Sequence, residues 1–237
     1  MRILAVDTST NVASAAILED QVIIGEYNCN RGKTHSQRLM PMVQHLMETT
    51  GLTVNDIDAF SASIGPGSFT GLRIGVTTIK AMAFAAEKPV ISVHTLDALA
   101  YNLPFAENLI CPMIDARNNQ VFTAIYRFIG DKLERLTDYM GIPVTELADI
   151  LRKMEGDTVF LGDACNMHRD YFVSELGNRV KIAPPGTALA KASSVAILAG
   201  KAYSEGKLER CYDMVPFYLR KSQAEREREN QKVKSDD

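Results

Sequence analysis

The chain has 237 residues, of which 46% are hydrophobic and 23% are charged, and its formal net charge at pH 7 is −3. This length and balance are those of a globular protein with one large domain or two small lobes around a hydrophobic core. Proteins that bind nucleic acids usually carry a basic excess, because neutralising phosphates supplies much of their affinity, so this charge argues against nucleic-acid binding without a partner.

The first half of the chain predicts a β-meander, two longer helices and two further strands. The helix at 34–50 is expected to have a capping box that starts at Thr34, a bend or delayed start at Pro41 and a stop at Gly51. Thr95 is expected to cap a short helix after the last strand. The predicted elements are strands at 3–6, 13–18, 22–27, 59–64 and 90–93, and helices at 34–50, 70–86 and 95–101.

The second half restarts the pattern after a link at 102–108 that contains Pro104. From Lys221 onward the chain is almost entirely polar, which predicts a disordered charged tail. We therefore expect a first lobe at 1–104, a second lobe at 105–220 and a tail at 221–237. The predicted elements are strands at 109–114, 121–128, 159–161 and 180–182, and helices at 144–154, 164–176 and 187–204.

The restart is an internal repeat. When Asp7 is aligned with Asp115, the apolar residues before and after them also align without a gap, so each copy is a strand, an aspartate, a polar turn and a second strand. Repeats determine architecture, and the shared position of the aspartate in each half favours a duplication. The alternative, that any two β-hairpins look alike, stays open at this point.

A duplicated lobe that opens in this way resembles the actin, Hsp70 and sugar-kinase (ASKHA) superfamily. The resemblance implies an α/β fold with two lobes, each a mixed sheet flanked by helices, whose two turns face each other across a nucleotide cleft. Neither turn contains glycine, which would let backbone N–H groups approach phosphates. We therefore expect a vestigial nucleotide cleft at Asp7, Thr8, Ser9, Asp115 and Arg117, although both aspartates could simply cap turns.

The sequence GPGSFTGLR at 65–73 lies between a predicted strand and a predicted helix. A helix N-terminus can bind anions, but the spacing matches neither a Walker A loop nor a dinucleotide-binding loop, so a structural turn is an equal alternative. The helices at 34–50 and 70–86 have more apolar surface than one sheet face could cover. They form either a fully buried pair or a protein–protein interface, and Gly71 and Gly75 would allow a close backbone approach there.

Several motifs spread over nearly the whole chain carry a closer resemblance. They are the opening ILAVDTST, His35-Ser36 before Leu39 and Pro41, the loop GPGSFTGLR with Ile74-Gly75, Asp115-Ala116-Arg117, and PFYLR at 216–220. Together they resemble the TsaB (YeaZ) family, and the long loop is the most specific of them. The chain departs from the family at Asn118-Asn119, where a basic residue and a glycine are common, which puts a ligand role for that turn in doubt.

The resemblance implies a non-catalytic subunit that supports the TsaD transferase in N6-threonylcarbamoyladenosine modification of tRNA next to the anticodon. It implies that TsaD binds the helices at 34–50 and 70–86, that the TsaE ATPase joins this pair, and that tRNA is contacted indirectly. No cofactor of its own is expected, and a nucleotide at the interface of the complex stays an open alternative. The expected partner-binding residues are His35, Ser36, Leu39, Met40, Val43, Met47, Gly71, Arg73, Ile74, Gly75 and Thr78.

Without TsaD, the chain is expected to form a homodimer through the same helices, because apolar helix faces rarely stay exposed. The four cysteines have no C-x-x-C spacing, which argues against a zinc or redox motif and fits a reducing compartment. No apolar stretch has the length of a signal peptide or a membrane span, so a cytoplasmic protein without membrane contact is expected.

Two enzymatic functions are alternatives to this interpretation. A metallopeptidase needs several ligands that converge on one ion, and the four histidines are far apart in sequence, so no metal site and no catalytic residue are expected. An ATPase or kinase of the same superfamily is the second alternative. It could use Asp7 and Asp115 as carboxylates, but its turns lack the glycines that phosphate binding favours.

Overall fold

The first half of the chain forms a five-stranded mixed sheet that is covered by helices on both faces. The computed structural model describes residues 1–31 and 34–220. The strands are β1 (Arg2–Asp7), β2 (Ala13–Glu19), β3 (Val22–Cys29), β4 (Ala59–Gly65) and β5 (Val90–His94). The helices are α1 (His35–Thr50), α2 (Phe69–Ala85) and α3 (Thr95–Ala100).

The second half forms a seven-stranded sheet with its own helices. Its strands are β6 (Leu109–Asp115), β7 (Gln120–Thr123), β8 (Tyr126–Ile129), β9 (Lys132–Arg135), β10 (Met140–Pro143), β11 (Thr158–Leu161) and β12 (Val180–Ile182). Its helices are α4 (Val144–Arg152), α5 (Cys165–Leu176), α6 (Pro185–Ala188) and α7 (Ala192–Ser204).

The two sheets have the same topology, which confirms the duplicated architecture. The strand order is β3-β2-β1-β4-β5 in the first sheet and β10-β7-β6-β11-β12 in the second. In each sheet the central strand pairs antiparallel with the next strand in sequence and parallel with the strand that follows a helix. The hairpin of β8 and β9 has no counterpart in the first half, so it is an insertion in the second copy.

Both faces of the central strand β1 are buried, which explains why its sequence is continuously apolar instead of alternating. Leu4 and Val6 pack toward α1 and α2, whereas Ile3 and Ala5 pack toward α7. Helix α7 therefore follows the second sheet in sequence but completes the core of the first. The division into lobes at residues 104 and 105 stays a prediction. Because α7 belongs to the second range in sequence but packs on the first sheet, it connects the two ranges.

Several details of the predicted helices are wrong. The capping box is absent, because the Thr34 hydroxyl lies 3.1 Å from the Ser36 hydroxyl and caps no helix N–H group. Pro41 does not delay α1, which begins six residues earlier, at His35. Thr95 is not a cap, since His94 holds that position and the buried Thr95 hydroxyl has no hydrogen-bond partner. The stop at Gly51 is confirmed by its left-handed φ of 69°.

The expected strand at 121–128 is two strands instead of one. Ile125 leaves the sheet ladder to pair with another segment, where its N–H donates to Thr137 Oγ1 and its carbonyl accepts from Leu136 N. The expected helix at 187–204 is likewise divided into α6 and α7, and strands β9 and β10 were not predicted. The tail expected at 221–237 lies outside the described residues.

Within residues 1–31 and 34–220, every helix is too short or too polar to cross a membrane.

Candidate functional site

The central strands of the two sheets end at a common cleft of about 580 Å³. Ser9 and Thr10 line one wall, and the turn that begins at Asp115 and includes Arg117 lines the other. The structure therefore brings Ser9, Asp115 and Arg117 together, as expected for two turns related by duplication. Asp7 and Thr8 come just before Ser9 in the chain and do not line the cleft, and each is only 1% exposed.

Asp7 is held entirely by its own lobe. Its Oδ1 accepts hydrogen bonds from Ser9 N at 2.9 Å and from Ser9 Oγ at 2.7 Å, and its Oδ2 accepts from Ser63 Oγ. Burial raises the pKa of Asp7, and the hydrogen bonds from Ser63 and Ser9 act against this rise. Both carboxylate oxygens are thus used to fix the turn, and neither faces the cleft as a free ligand.

The Ser63→Ala substitution should therefore lower the free energy of unfolding more than the loss of one hydroxyl group usually does. It removes the donor to Asp7 Oδ2, and a buried carboxylate oxygen that loses its partner costs about 1.5–3 kcal/mol of the free energy of unfolding. Ser61→Ala is the matched control, because the Ser61 hydroxyl is buried on the same strand but donates to the neutral Ile91 carbonyl. Chemical denaturation of both variants measures the difference, and equal losses would show that Ser63 has no special role.

The second turn uses backbone geometry that glycine normally provides. Arg117, Asn118 and Asn119 have φ values of 66°, 54° and 55°, all in the left-handed region. Arg117 N donates to Asp115 Oδ1 at 2.8 Å, while Asp115 N donates to Asp163 Oδ1 at 3.0 Å. Asn118 and Asn119 therefore lie in a left-handed turn that side-chain and backbone hydrogen bonds stabilise.

Asp163 was not selected from the sequence, although it lines the cleft beside Asp115. Burial raises the pKa of Asp163, and the negative charge of Asp115 adds to the rise. The nearby Arg117 side chain is 85% exposed and lies 3.5 Å from Asp115. In the part of the chain that the structure describes, no three His, Cys, Asp or Glu side chains are arranged to hold a metal ion.

The segment 214–220, which we call the strap, lines the cleft with its residues 217–220. Phe217 N donates to the Ile64 carbonyl at 2.7 Å, and Arg220 Nη1 donates to the Ala116 carbonyl at 3.0 Å. The Tyr218 ring stacks on Phe69, with centroids 4.5 Å apart. The strap thus joins the first sheet to the second turn, a role that the PFYLR motif alone did not indicate.

The structure corrects part of the predicted partner surface on α1 and α2. Leu39, Val43 and Met47 face the protein's own core and are between 1% and 7% exposed, so they cannot contact a partner directly. Gly71 and Gly75 also face inward. A Cβ atom at Gly71 would overlap the Thr8 carbonyl, and one at Gly75 would overlap Thr8 Oγ1. These glycines let α2 pack closely on the chain's own first turn.

The remaining expected residues are distributed around the two helices. His35 Nε2 hydrogen-bonds the Thr10 carbonyl at 2.8 Å and so ties α1 to the first turn, while Ser36 is exposed. Arg73 is exposed, lies over the Phe69 ring at 4.0 Å and donates to Tyr218 Oη at 3.2 Å. Ile74 and Thr78 are half-buried, and Met40 is 47% exposed on the outside of α1.

Further exposed apolar side chains lie outside the expected partner-binding residues. Phe84 near the end of α2 is 61% exposed, and its ring meets Tyr212, which is 66% exposed, at a centroid distance of 5.9 Å. Val215 in the strap is 62% exposed. Lys80 Nζ donates to the carbonyls of Tyr212 and Met214 and so holds this segment along α2. We call these exposed apolar side chains, Met40 on α1 and Phe84, Tyr212 and Val215 on or beside α2, the outer face.

The fold places the chain in the actin/Hsp70-like class. The ROK hexokinase from Thermus thermophilus superposes with a TM-score of 0.50 at 12% identity, covering 87% of this chain and 100% of that chain, which shows the fold alone. YeaZ from Pseudomonas aeruginosa superposes with a TM-score of 0.76 at 27% identity, covering 92% of this chain and 99% of that chain.

The sequence comparisons give the family. The family model described as TsaD, tRNA N6-adenosine threonylcarbamoyltransferase, matches residues 30–228. The tRNA threonylcarbamoyladenosine biosynthesis protein TsaB of Bacillus subtilis is 33% identical over 225 residues, or 95% of this chain and 96% of that protein. The chain belongs to the TsaB family, within the wider family that the model describes.

Proposed function

We propose that the chain is a non-catalytic subunit that binds a TsaD-type transferase through the outer face and supports threonylcarbamoyladenosine formation on tRNA. The observation that carries the proposal is the outer face itself, in which Met40 is 47% and Phe84 61% exposed on two helices of an otherwise well-packed lobe. The biosynthetic role of the relatives supports it, since the Bacillus subtilis protein covers nearly the whole chain.

The cleft supports a role without catalysis by this chain. Phosphoryl transfer needs carboxylates free to hold magnesium and backbone groups free to approach phosphate. Asp7 is buried under serine hydroxyls, and the strap lines the cleft and hydrogen-bonds Ile64 and Ala116. An ATPase or kinase is the second candidate function, favoured by the cleft volume and by the two facing turns.

The purified chain is expected to hydrolyse ATP no faster than buffer alone, because Asp7 is buried and both of its carboxylate oxygens accept hydrogen bonds from serines of its own lobe. An Asp7→Asn variant, which keeps the side-chain shape, should give the same background rate in a phosphate-release assay. Circular dichroism checks whether the variant is folded. A clear turnover in the unmodified chain that disappears in Asp7→Asn would support the kinase alternative and contradict this proposal.

The isolated chain is expected to form a homodimer through the outer face, since burying exposed apolar surface is favourable. Light scattering over a range of concentrations measures this association. Phe84→Glu should shift the equilibrium toward monomer, because the new carboxylate would lose its hydration at the interface. A strict monomer at millimolar concentration would contradict the expectation.

The proposal includes an ATPase subunit of the TsaE type that joins the pair formed by the chain and the transferase. It also includes indirect contact with tRNA, which fits the net charge of −3. It also includes a cytoplasmic location, because tRNA is used there. Co-purification of the tagged chain with the candidate transferase subunit of the same genome tests the core of the proposal. Recovery of the transferase supports it, and failure to recover it at any salt concentration contradicts it.

A further inference from the structure

A half-buried carboxylate links the two halves of the chain away from the cleft turns. Asp97 lies in α3, and its Oδ1 and Oδ2 accept hydrogen bonds from the phenols of Tyr126 at 2.7 Å and Tyr139 at 2.8 Å. Both tyrosines belong to the second half. Burial, followed by the charge of Asp97, raises the pKa of each phenol, so both stay protonated and act as donors.

A cluster of three rings continues this contact toward the strap. The Tyr139 ring lies 4.6 Å from the His94 ring and 5.6 Å from the Phe217 ring, and His94 meets Phe217 edge-on at 4.9 Å. His94 ends β5, Tyr139 precedes β10 and Phe217 belongs to the strap. The first sheet, the second sheet and the strap therefore meet at one point.

The first residue of the link between the halves, Asn102, is also held by hydrogen bonds. Asn102 is 9% exposed, and its Nδ2 donates to the carbonyls of Thr187 at 3.0 Å and Leu189 at 2.8 Å. Its Oδ1 accepts from Ser194 Oγ at 2.6 Å. A hinge needs residues whose φ and ψ can change, and these bonds hold Asn102 against the segment that leads into α7.

We propose that Asp97, Asn102 and the strap form a latch that holds the two lobes in a single arrangement, so that the cleft neither opens nor closes around a ligand. Lobes joined by modest interfaces are expected to move relative to one another. Here the two halves of the chain contact each other at Asn102, at Asp97 and at Arg220. The proposal does not depend on which protein binds the outer face.

Distances between spin labels on the two lobes test the latch. Thr49→Cys on α1 and Asp170→Cys on α5 place labels at exposed positions, in a background of Cys29→Ser and Cys211→Ser. Burial raises the pKa of Cys111 to about 12 and also raises that of Cys165, so these two buried thiols should stay unlabelled. Pulsed electron paramagnetic resonance is recorded with and without ATP and magnesium.

The latch predicts one narrow distance distribution that ATP with magnesium does not shift. The double variant Asp97→Asn with Arg220→Ala should broaden it roughly twofold, because two contacts across the boundary are lost. If circular dichroism shows that this variant is unfolded, Tyr139→Phe replaces it in the test. This variant removes one hydroxyl that donates to Asp97, and it should also broaden the distribution. Tyr171→Phe on α5 is the matched control and should leave the distribution unchanged.

A broad or ATP-dependent distribution in the unmodified chain would overturn the latch. So would a folded latch variant whose distribution stays as narrow as that of the unmodified chain.

Discussion

A Gly75→Leu variant is expected to lose its fold instead of only its partner. Gly75 packs against Thr8, whose hydroxyl donates to the Gly71 carbonyl at 2.8 Å, and a side chain at Gly75 would have to occupy the same space. Leucine would push α2 away from the first sheet, and overpacking of this kind should cost more than about 3 kcal/mol. Thermal unfolding followed by circular dichroism measures the loss.

Gly186→Leu is the matched control, because a side chain at Gly186 meets nothing within 4 Å. It should unfold near the temperature of the unmodified chain. A Gly75→Leu variant that keeps the unfolding temperature and loses only transferase binding would restore the sequence-based expectation that Gly75 packs against a partner. The structure predicts the opposite, since Gly75 is buried against its own first turn.

A Met40→Glu variant is expected to fold normally and to bind the transferase at least about 100-fold more weakly. In the isolated chain the new carboxylate would stay in water, because Met40 is 47% exposed. In the complex it would be desolvated without a partner, which costs several kcal/mol, and each 1.4 kcal/mol is about tenfold in affinity. Isothermal titration calorimetry with the purified transferase subunit measures the change.

Val173→Glu on α5 provides the matched control, since Val173 is also apolar and is 46% exposed. Together with Lys153→Glu, which lies at the end of α4, it should bind the transferase at full affinity. If a folded Met40→Glu variant bound as tightly as these controls, α1 would have to be removed from the proposed interface.

The sequence predicted the architecture because its signals are local. The two aspartates at equal positions in each half, and the stop signal at Gly51, are read directly from residue order, and the duplicated sheets and the end of α1 agree with them. Strand β1 was also predictable, because burial on both faces leaves a continuous apolar run. These features need no knowledge of distant contacts.

The orientation of α1 and α2 was harder to predict. Both helices carry apolar residues on most sides, so periodicity alone could not show which stripe faces the sheet. In the structure, Leu39, Val43 and Met47 pack in the core, whereas Met40 is exposed on the outside of α1. The outer face also includes Tyr212 and Val215, which lie outside any helix or strand and have no periodic signal.

Tertiary pairing decided the remaining differences. Nothing in the run at 121–128 shows that Ile125 pairs with Leu136 and Thr137 instead of continuing the strand. The same holds for Asp7, whose partner Ser63 is 56 positions away, and for Asp97, whose partners belong to the other half. The use of these carboxylates could be recognised only when the fold brought their partners together.

The measurement that tests the central claim most directly is reconstituted tRNA modification. Purified transferase and its other partner proteins are supplied with substrate and tRNA, and threonylcarbamoyladenosine is quantified with no added chain, with the unmodified chain, with Met40→Glu or with Val173→Glu. The account predicts that the unmodified chain and Val173→Glu support modification, and that Met40→Glu behaves like the omission. Full modification without the chain, or with Met40→Glu at stoichiometric concentration, would contradict it.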